Sequence, residues 1–195
     1  MYSCNDKLYI GTYDGLGCLD IPTMSFVSTY KVNRLLQGDV IYALYEDLHQ
    51  NIWIGTSQGL KQLNHQTQEV KQYTISDGLP SNSISAIEGD LDGNLWISTN
   101  FGISRFNPEA QTFVNFYASD GLQGNEFSKG VSFAGKKGEI IFGGTNGITY
   151  FNPKEITSPN KKPEIRITDF YIHDKAVKLG MKSGHYDIIK TSVMN

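Results

Sequence analysis

The chain has no run of eighteen apolar residues, so no segment is long enough to cross a bilayer as a helix. Its opening residues, Met1-Tyr2-Ser3-Cys4-Asn5-Asp6, have no basic stretch leading into an apolar one and do not form a secretory leader. The expectation is a cytosolic chain, or a piece of an exported protein whose leader lies elsewhere. Basic clusters are equally scarce. The longest is Lys161-Lys162, and the net charge is −3, which argues against nucleic acid as a partner because phosphate binding needs a clustered basic face. Only two cysteines occur, Cys4 and Cys18, too few for a disulfide framework or a zinc site. Both are expected to be buried thiols, with pairing open to them if the first strands bring them together.

Motifs of reactive chemistry are also missing. The histidines His49, His65, His173 and His185 are isolated, with no metal-binding spacing. There is no Gly-x-Ser-x-Gly elbow and no phosphate-cradling glycine loop. Asp90-Leu91-Asp92-Gly93-Asn94 has the start of a calcium loop but lacks the later glutamate, and is expected to be a strand-connecting turn. No cofactor is expected. Carboxylates such as Glu126 with Asp39 or Asp120 leave a glycoside-cleaving pair open, though no motif distinguishes one.

What the chain does have is repetition. Lys7-Leu8-Tyr9-Ile10-Gly11-Thr12-Tyr13-Asp14-Gly15 returns as Asn51-Ile52-Trp53-Ile54-Gly55-Thr56-Ser57-Gln58-Gly59. It returns again as Asn94-Leu95-Trp96-Ile97-Ser98-Thr99-Asn100-Phe101-Gly102, and as Glu139-Ile140-Ile141-Phe142-Gly143-Gly144-Thr145-Asn146-Gly147. The last glycines stand at 15, 59, 102 and 147, spaced by 44, 43 and 45 residues. A second apolar run follows each glycine, at 16–19, 60–63, 103–106 and 148–151, and three copies then reach Asn64, Asn107-Pro108 or Asn152-Pro153. Aromatic-ended runs and a further apolar run complete the unit, with the turn Ser76-Asp77-Gly78-Leu79 repeated as Ser119-Asp120-Gly121-Leu122.

Four short β-type runs per unit at this period fit a propeller blade. Helical repeats are excluded, because glycine would interrupt every second turn. One four-stranded sheet cannot bury both of its faces, whereas blades stacked around an axis can. The predicted fold class is all-β: a partial β-propeller of about four four-stranded blades over 1–160 (1–37, 38–80, 81–124, 125–160), then a truncated β-sandwich-like segment over 161–195. Trp53 and Trp96, with Tyr9 and Ile141 at the same repeat position, are expected between blades, because large rings dominate burial.

Asp92-Gly93-Asn94-Leu95-Trp96-Ile97-Ser98-Thr99 with Gly102-Ile103-Ser104-Arg105-Phe106-Asn107-Pro108 resembles the two-component regulator propeller repeat. Asp77-Gly78-Leu79-Pro80-Ser81-Asn82-Ser83-Ile84 is similar to its linker, and the copy from Gly124 to Pro153 resembles the repeat that closes such arrays. Pro163-Glu164-Ile165-Arg166-Ile167-Thr168-Asp169-Phe170 and Lys175-Ala176-Val177 resemble the opening strands of the immunoglobulin-like triple-tyrosine domain that follows them. The resemblance implies the periplasmic sensor region of a hybrid two-component regulator of the Bacteroidetes type, responding to a carbohydrate or other nutrient and passing the signal to a kinase absent from this chain. Such sensors usually carry fourteen repeats in two propellers. Four repeats do not close a seven-bladed ring, so the chain is expected to be a fragment, to expose apolar faces at its open ends and to self-associate.

In an up-and-down blade the second turn and the connection to the next blade share a face. There the copies differ while their flanks repeat, as expected of ligand-reading loops on a rigid frame. Tyr13 and Phe101 are candidates to stack on a sugar ring. Asp14, Gln58, Asn100, Asn125, Glu126 and Asn146 are candidates to hydrogen-bond its hydroxyls. The competing reading makes all eight ordinary solvated loop residues. Competing functions are a propeller-type glycan lyase or hydrolase and a protein-interaction platform.

Overall fold

The structure is a computed structural model that describes residues 2–4, 6–27, 36, 38–64, 67 and 69–156, together with four short strands beyond. The chain divides into two compact units, Met1–Ser158 and Pro159–Asn195. In the second unit the described residues form two small hairpins, β16 (Tyr171–Ile172) with β17 (Lys175–Ala176) and β18 (Lys182–Ser183) with β19 (Tyr186–Asp187). Residues 163–170, matched above to an immunoglobulin-like opening strand, lie outside the described residues.

The first unit consists of successive antiparallel meanders. The first blade is β1 (Tyr2–Cys4), β2 (Lys7–Thr12), β3 (Gly15–Asp20) and β4 (Ser25–Phe26). The second is β5 (Ile41–Glu46), β6 (Ile52–Thr56), β7 (Gly59–Leu63) and β8 (Val70–Tyr73). The third is β9 (Ile84–Gly89), β10 (Leu95–Thr99), β11 (Gly102–Asn107) and β12 (Thr112–Phe116). The last has three strands among the described residues, β13 (Phe127–Ala134), β14 (Ile140–Gly144) and β15 (Gly147–Phe151). The repeat therefore folds as expected, into a partial propeller.

The core lies between blades. In the first three blades the large residue of the second strand meets the third strand of the following blade. Tyr9 shares a buried cluster with Leu63. Trp53 lies 5.6 Å edge-on from Phe106, and Trp96 4.6 Å from Phe151. Both tryptophans are fully buried, which confirms their place as inter-blade residues. Phe106 continues the stack onto Phe113 at 4.3 Å. The alternation of strand side chains explains why one residue type recurs here: β6 and β10 present the same register position to the same neighbour.

Two glycines show what the repeat demands of its backbone. A Cβ on Gly55 would stand 2.6 Å from Ile84 of the next blade, so glycine allows the first strand of that blade its close approach here. Gly102 has φ +100°, and a Cβ there would lie 2.5 Å from the Phe116 carbonyl oxygen. Cys18 is buried and free, and burial raises its thiol pKa. The Cys4 side chain lies outside the described residues.

Candidate ligand face

Every second turn of blades one to three is tied by one threonine. Thr12, Thr56 and Thr99 donate through Oγ1 to the carbonyls of Gly15, Gly59 and Gly102 at 2.8, 2.9 and 3.0 Å. The same oxygens accept from the amides of Asp14, Gln58 and Phe101 at 3.1, 2.9 and 2.9 Å. The threonine thus fixes the backbone and leaves Tyr13, Asp14, Gln58, Asn100 and Phe101 exposed at the tips, while Ser57 is half-buried and accepts from the Val40 amide.

The inter-blade linkers are equally organised. Short 3-10 turns, Ile75–Asp77 and Ala118–Asp120, are closed by their own last residues. Asp77 accepts from the Thr74 amide at 2.7 Å, and Asp120 from the Tyr117 amide at 2.8 Å. Asn82 and Asn125 accept from the Ile75 and Ala118 amides at 2.9 and 2.8 Å. Turn and linker share one face, as the topology predicted. Ser57 donates to the Val40 carbonyl at 3.1 Å, Asn100 to Ser83 at 3.3 Å, Gly102 to Asn125 at 2.7 Å and Thr145 to Glu126 at 3.3 Å.

Tyr13 is 85% exposed and Asp14 is open to solvent beside it. Gln58 projects outward while its carbonyl accepts from Gln72 Nε2 at 3.0 Å. Phe101 is half exposed, its ring backed at 5.7 Å by Tyr117, and adjoins exposed Asn100. Glu126 is exposed, its carbonyl held by Gln123 Nε2 at 3.0 Å. The Asn146 amide donates to Gln123 Oε1 at 2.8 Å, leaving an exposed residue at the tip. Asn125 differs from the rest, because its side-chain oxygen serves the linker. At the third blade Asn100 meets the Ser83 backbone, and Gly102, next to Phe101, meets the Asn125 backbone. Glu126 and Asn146 meet around Gln123 at the fourth. Gln123 was not singled out in the sequence, where nothing marks a linker glutamine.

Two of the three carboxylates weighed for catalysis are committed to structure, while the third, Glu126, is exposed. Asp39 is buried in an ion pair with Lys61 at 2.5 Å. Asp120 closes its 3-10 turn. At the opposite ends of the sheets, Asp47 and Asp90 are also occupied. Asp90 Oδ1 accepts from the Asp92 and Asn94 amides at 3.0 and 2.9 Å, while Oδ2 accepts from Asn94 Nδ2 at 3.0 Å and Trp96 Nε1 at 2.9 Å. Asp47 repeats this with His49, Asn51 and Trp53. N–H donors surround both carboxylates, so this segment is a strand-connecting turn. Among the described residues no group of three or more His, Cys, Asp or Glu is placed to hold a metal, and no helix is long and apolar enough to cross a membrane. His49 is exposed in this turn, while His65, His173 and His185 lie outside the described residues.

With that geometry in view, the likenesses to known proteins are specific. Residues 78–101, which span the linker, first strand and Trp96 strand of the third blade, match the family described as two component regulator propeller. Over 140 residues, 72% of the chain, the sequence is 28% identical to histidine kinase P4 of Formosa agariphila, of which it spans 7%. The extracellular domain of a hybrid two-component system from B. thetaiotaomicron aligns with 89% of the chain at a TM-score of 0.72 and 27% identity. The chain covers 25% of that domain. A second such extracellular domain from the same organism aligns with 80% at a TM-score of 0.66 and 17% identity, covering 20% of that domain, a likeness of fold.

Proposed function

From a chain that carries the two-component regulator propeller repeat and resembles the extracellular domain of a hybrid two-component system, we propose a ligand-sensing module of a signal-transduction protein. The module acts outside the cytoplasm, in the periplasm, and its kinase lies elsewhere in the parent. Its ligand is a carbohydrate or another nutrient. The observation that carries this reading is the turn face: side chains differ from blade to blade on backbones held in one geometry by Thr12, Thr56 and Thr99. Such a surface varies its chemistry without disturbing its frame.

Alanine at both Asn100 and Phe101 in the intact sensor is expected to weaken ligand binding by at least about tenfold, because a stacking ring and a hydrogen-bonding amide are lost together. Calorimetry with the sensor's own inducing glycan measures it. An unchanged affinity removes these residues from the site.

The isolated chain is proposed to pair with a second copy. Leu16, Leu60 and Ile103 occupy one position on the third strand of successive blades, each almost fully buried in the cluster shared with the next blade. The fourth occupant, Ile148, is 67% exposed, alongside exposed Tyr150, Phe133 and Val131. An apolar face of this kind is uncommon on a monomer. Light scattering at micromolar concentration is expected to give at least a dimer, and a clean monomer would refute the pairing.

A further inference from the structure

The first strand of the fourth blade does not pair continuously. Its register on β14 shifts between Phe127 and Ser132, and Gly130 within the excursion has φ +68°. This bulge carries Lys129 across the neighbouring first strands. Its ammonium donates to Ser83 Oγ at 2.6 Å and to the Ile84 carbonyl at 3.1 Å, and stands 4.0 Å from the centre of the Tyr42 ring. Lys129 thus gathers groups from the second and third blades at one point. That point is on the ligand face, because the Ser83 carbonyl also receives the Asn100 amide.

Among the described residues, Lys129 has oxygen and ring partners but forms no ion pair. The contrast with Lys61, which meets Asp39 inside the protein, is internal to the chain. Lys129 is exposed as a residue, yet its ammonium is sheltered enough for desolvation to pull its pKa below the ordinary lysine value. Ser83 Oγ, accepting from the ammonium, keeps its own proton to donate. A positive charge without a counter-charge, next to a polarised hydroxyl, is a receptor for a negatively charged oxygen group.

The geometry points to an oxyanion subsite formed by Lys129 and Ser83 beside Asn100, which reads a carboxylate or sulfate on the ligand. As a statement about ligand chemistry this rests on the sensor reading. As a statement about an anion site it does not.

Acetylation footprinting of Lys129 by mass spectrometry on the 195-residue chain, at constant ionic strength, tests both. Added D-glucuronate is expected to protect Lys129 at concentrations at least about tenfold below those at which D-glucose does, given the strength of charge-assisted hydrogen bonds. Sodium acetate and sodium sulfate distinguish a free anion from one carried on a sugar. Protection by glucuronate well below acetate supports an acidic saccharide. Equal protection by glucuronate and the simple anions keeps the subsite and counts against the sugar ligand. Equal protection by glucose and glucuronate overturns the oxyanion subsite and leaves the sensor reading intact, and protection by none overturns the subsite. Calorimetry with glucuronate adds a check independent of lysine reactivity: K129R should retain binding and K129M lose it, and unchanged binding by K129M would overturn the assignment.

Discussion

Replacing Trp53 by alanine is expected to destabilise the propeller unit by about 3–5 kcal/mol, the range for emptying a buried aromatic site. The indole is fully buried, touches Tyr73 in its own blade and Phe106 in the next, and has no solvent-facing edge to relax toward. The cavity would open at a junction between blades, where two sheets must both move to close it. A second loss accompanies the first, because the Trp53 Nε1 donor to Asp47 disappears at 2.8 Å. Trp53→Phe separates the two terms. It keeps most of the apolar contact and drops the charge-assisted hydrogen bond, so it should cost about 1.5–3 kcal/mol. Thermal or urea unfolding followed by circular dichroism measures both. For a unit of this size each kcal/mol lowers the midpoint by roughly 2–4 °C. An alanine variant within about 1 kcal/mol of the parent would show that the blade junction does not depend on this ring.

The internal copies support the coupling of ring and carboxylate. Asp47 and Asp90 each stand six residues before a tryptophan and each accept its N–H. In the fourth copy Ile141 replaces the tryptophan and Gly135 replaces the aspartate. Glu139 turns its carboxylate into that turn instead, accepting from the Lys137 amide at 3.1 Å. A built Cβ on Gly135 would fall 2.3 Å from the Glu139 side chain, so the space of one acid is taken by the other. Where there is no indole to satisfy, the carboxylate need only close the turn.

This pairing shows what was legible in the sequence. The blades were, because their strands obey a period and their turns need glycine at fixed points, both properties of single residues. The place of Trp53 and Trp96 followed from size alone. The shared face of turns and linkers followed from the alternation of an antiparallel meander. The partners of individual side chains did not follow. Lys129 reaches Ser83 through a bulge that no periodicity announces. Asn125 looked like a variable loop residue, but it caps a 3-10 turn as Asn82 does one blade earlier. A comparison of 82 with 125 across the repeat was the available signal, since identical residues at a nominally variable position point to the frame.

The same limit applies to the junction between linkers and third strands, where the largest charge effect is expected. One position on the third strand holds Lys61, Ser104 and Thr149 in successive blades, three chemistries that hide the common task. Each helps hold the incoming linker. Thr149 Oγ1 accepts from the Gln123 amide at 3.2 Å. Ser104 works through Asn115, which donates to the Gly78 carbonyl at 2.8 Å. Lys61 pairs with Asp39. Both members of that pair are nearly fully buried, so removing Lys61 leaves the Asp39 carboxylate buried without its cation. Lys61→Met is expected to cost about 3–5 kcal/mol, the usual penalty for breaking a buried pair from one side. Asp39→Leu combined with Lys61→Met removes both charges and should recover most of that loss, because an apolar pair has no desolvation to repay. Urea unfolding of the four members of the cycle gives the coupling directly. If the double variant is as unstable as the sum of the single ones, the residues act independently and the linker is held by something else. If it recovers, the second blade is anchored by charge where its neighbours use hydroxyls, and the frame under the face of turns and linkers tolerates different chemistry at each blade as long as the linker is gripped at the same point.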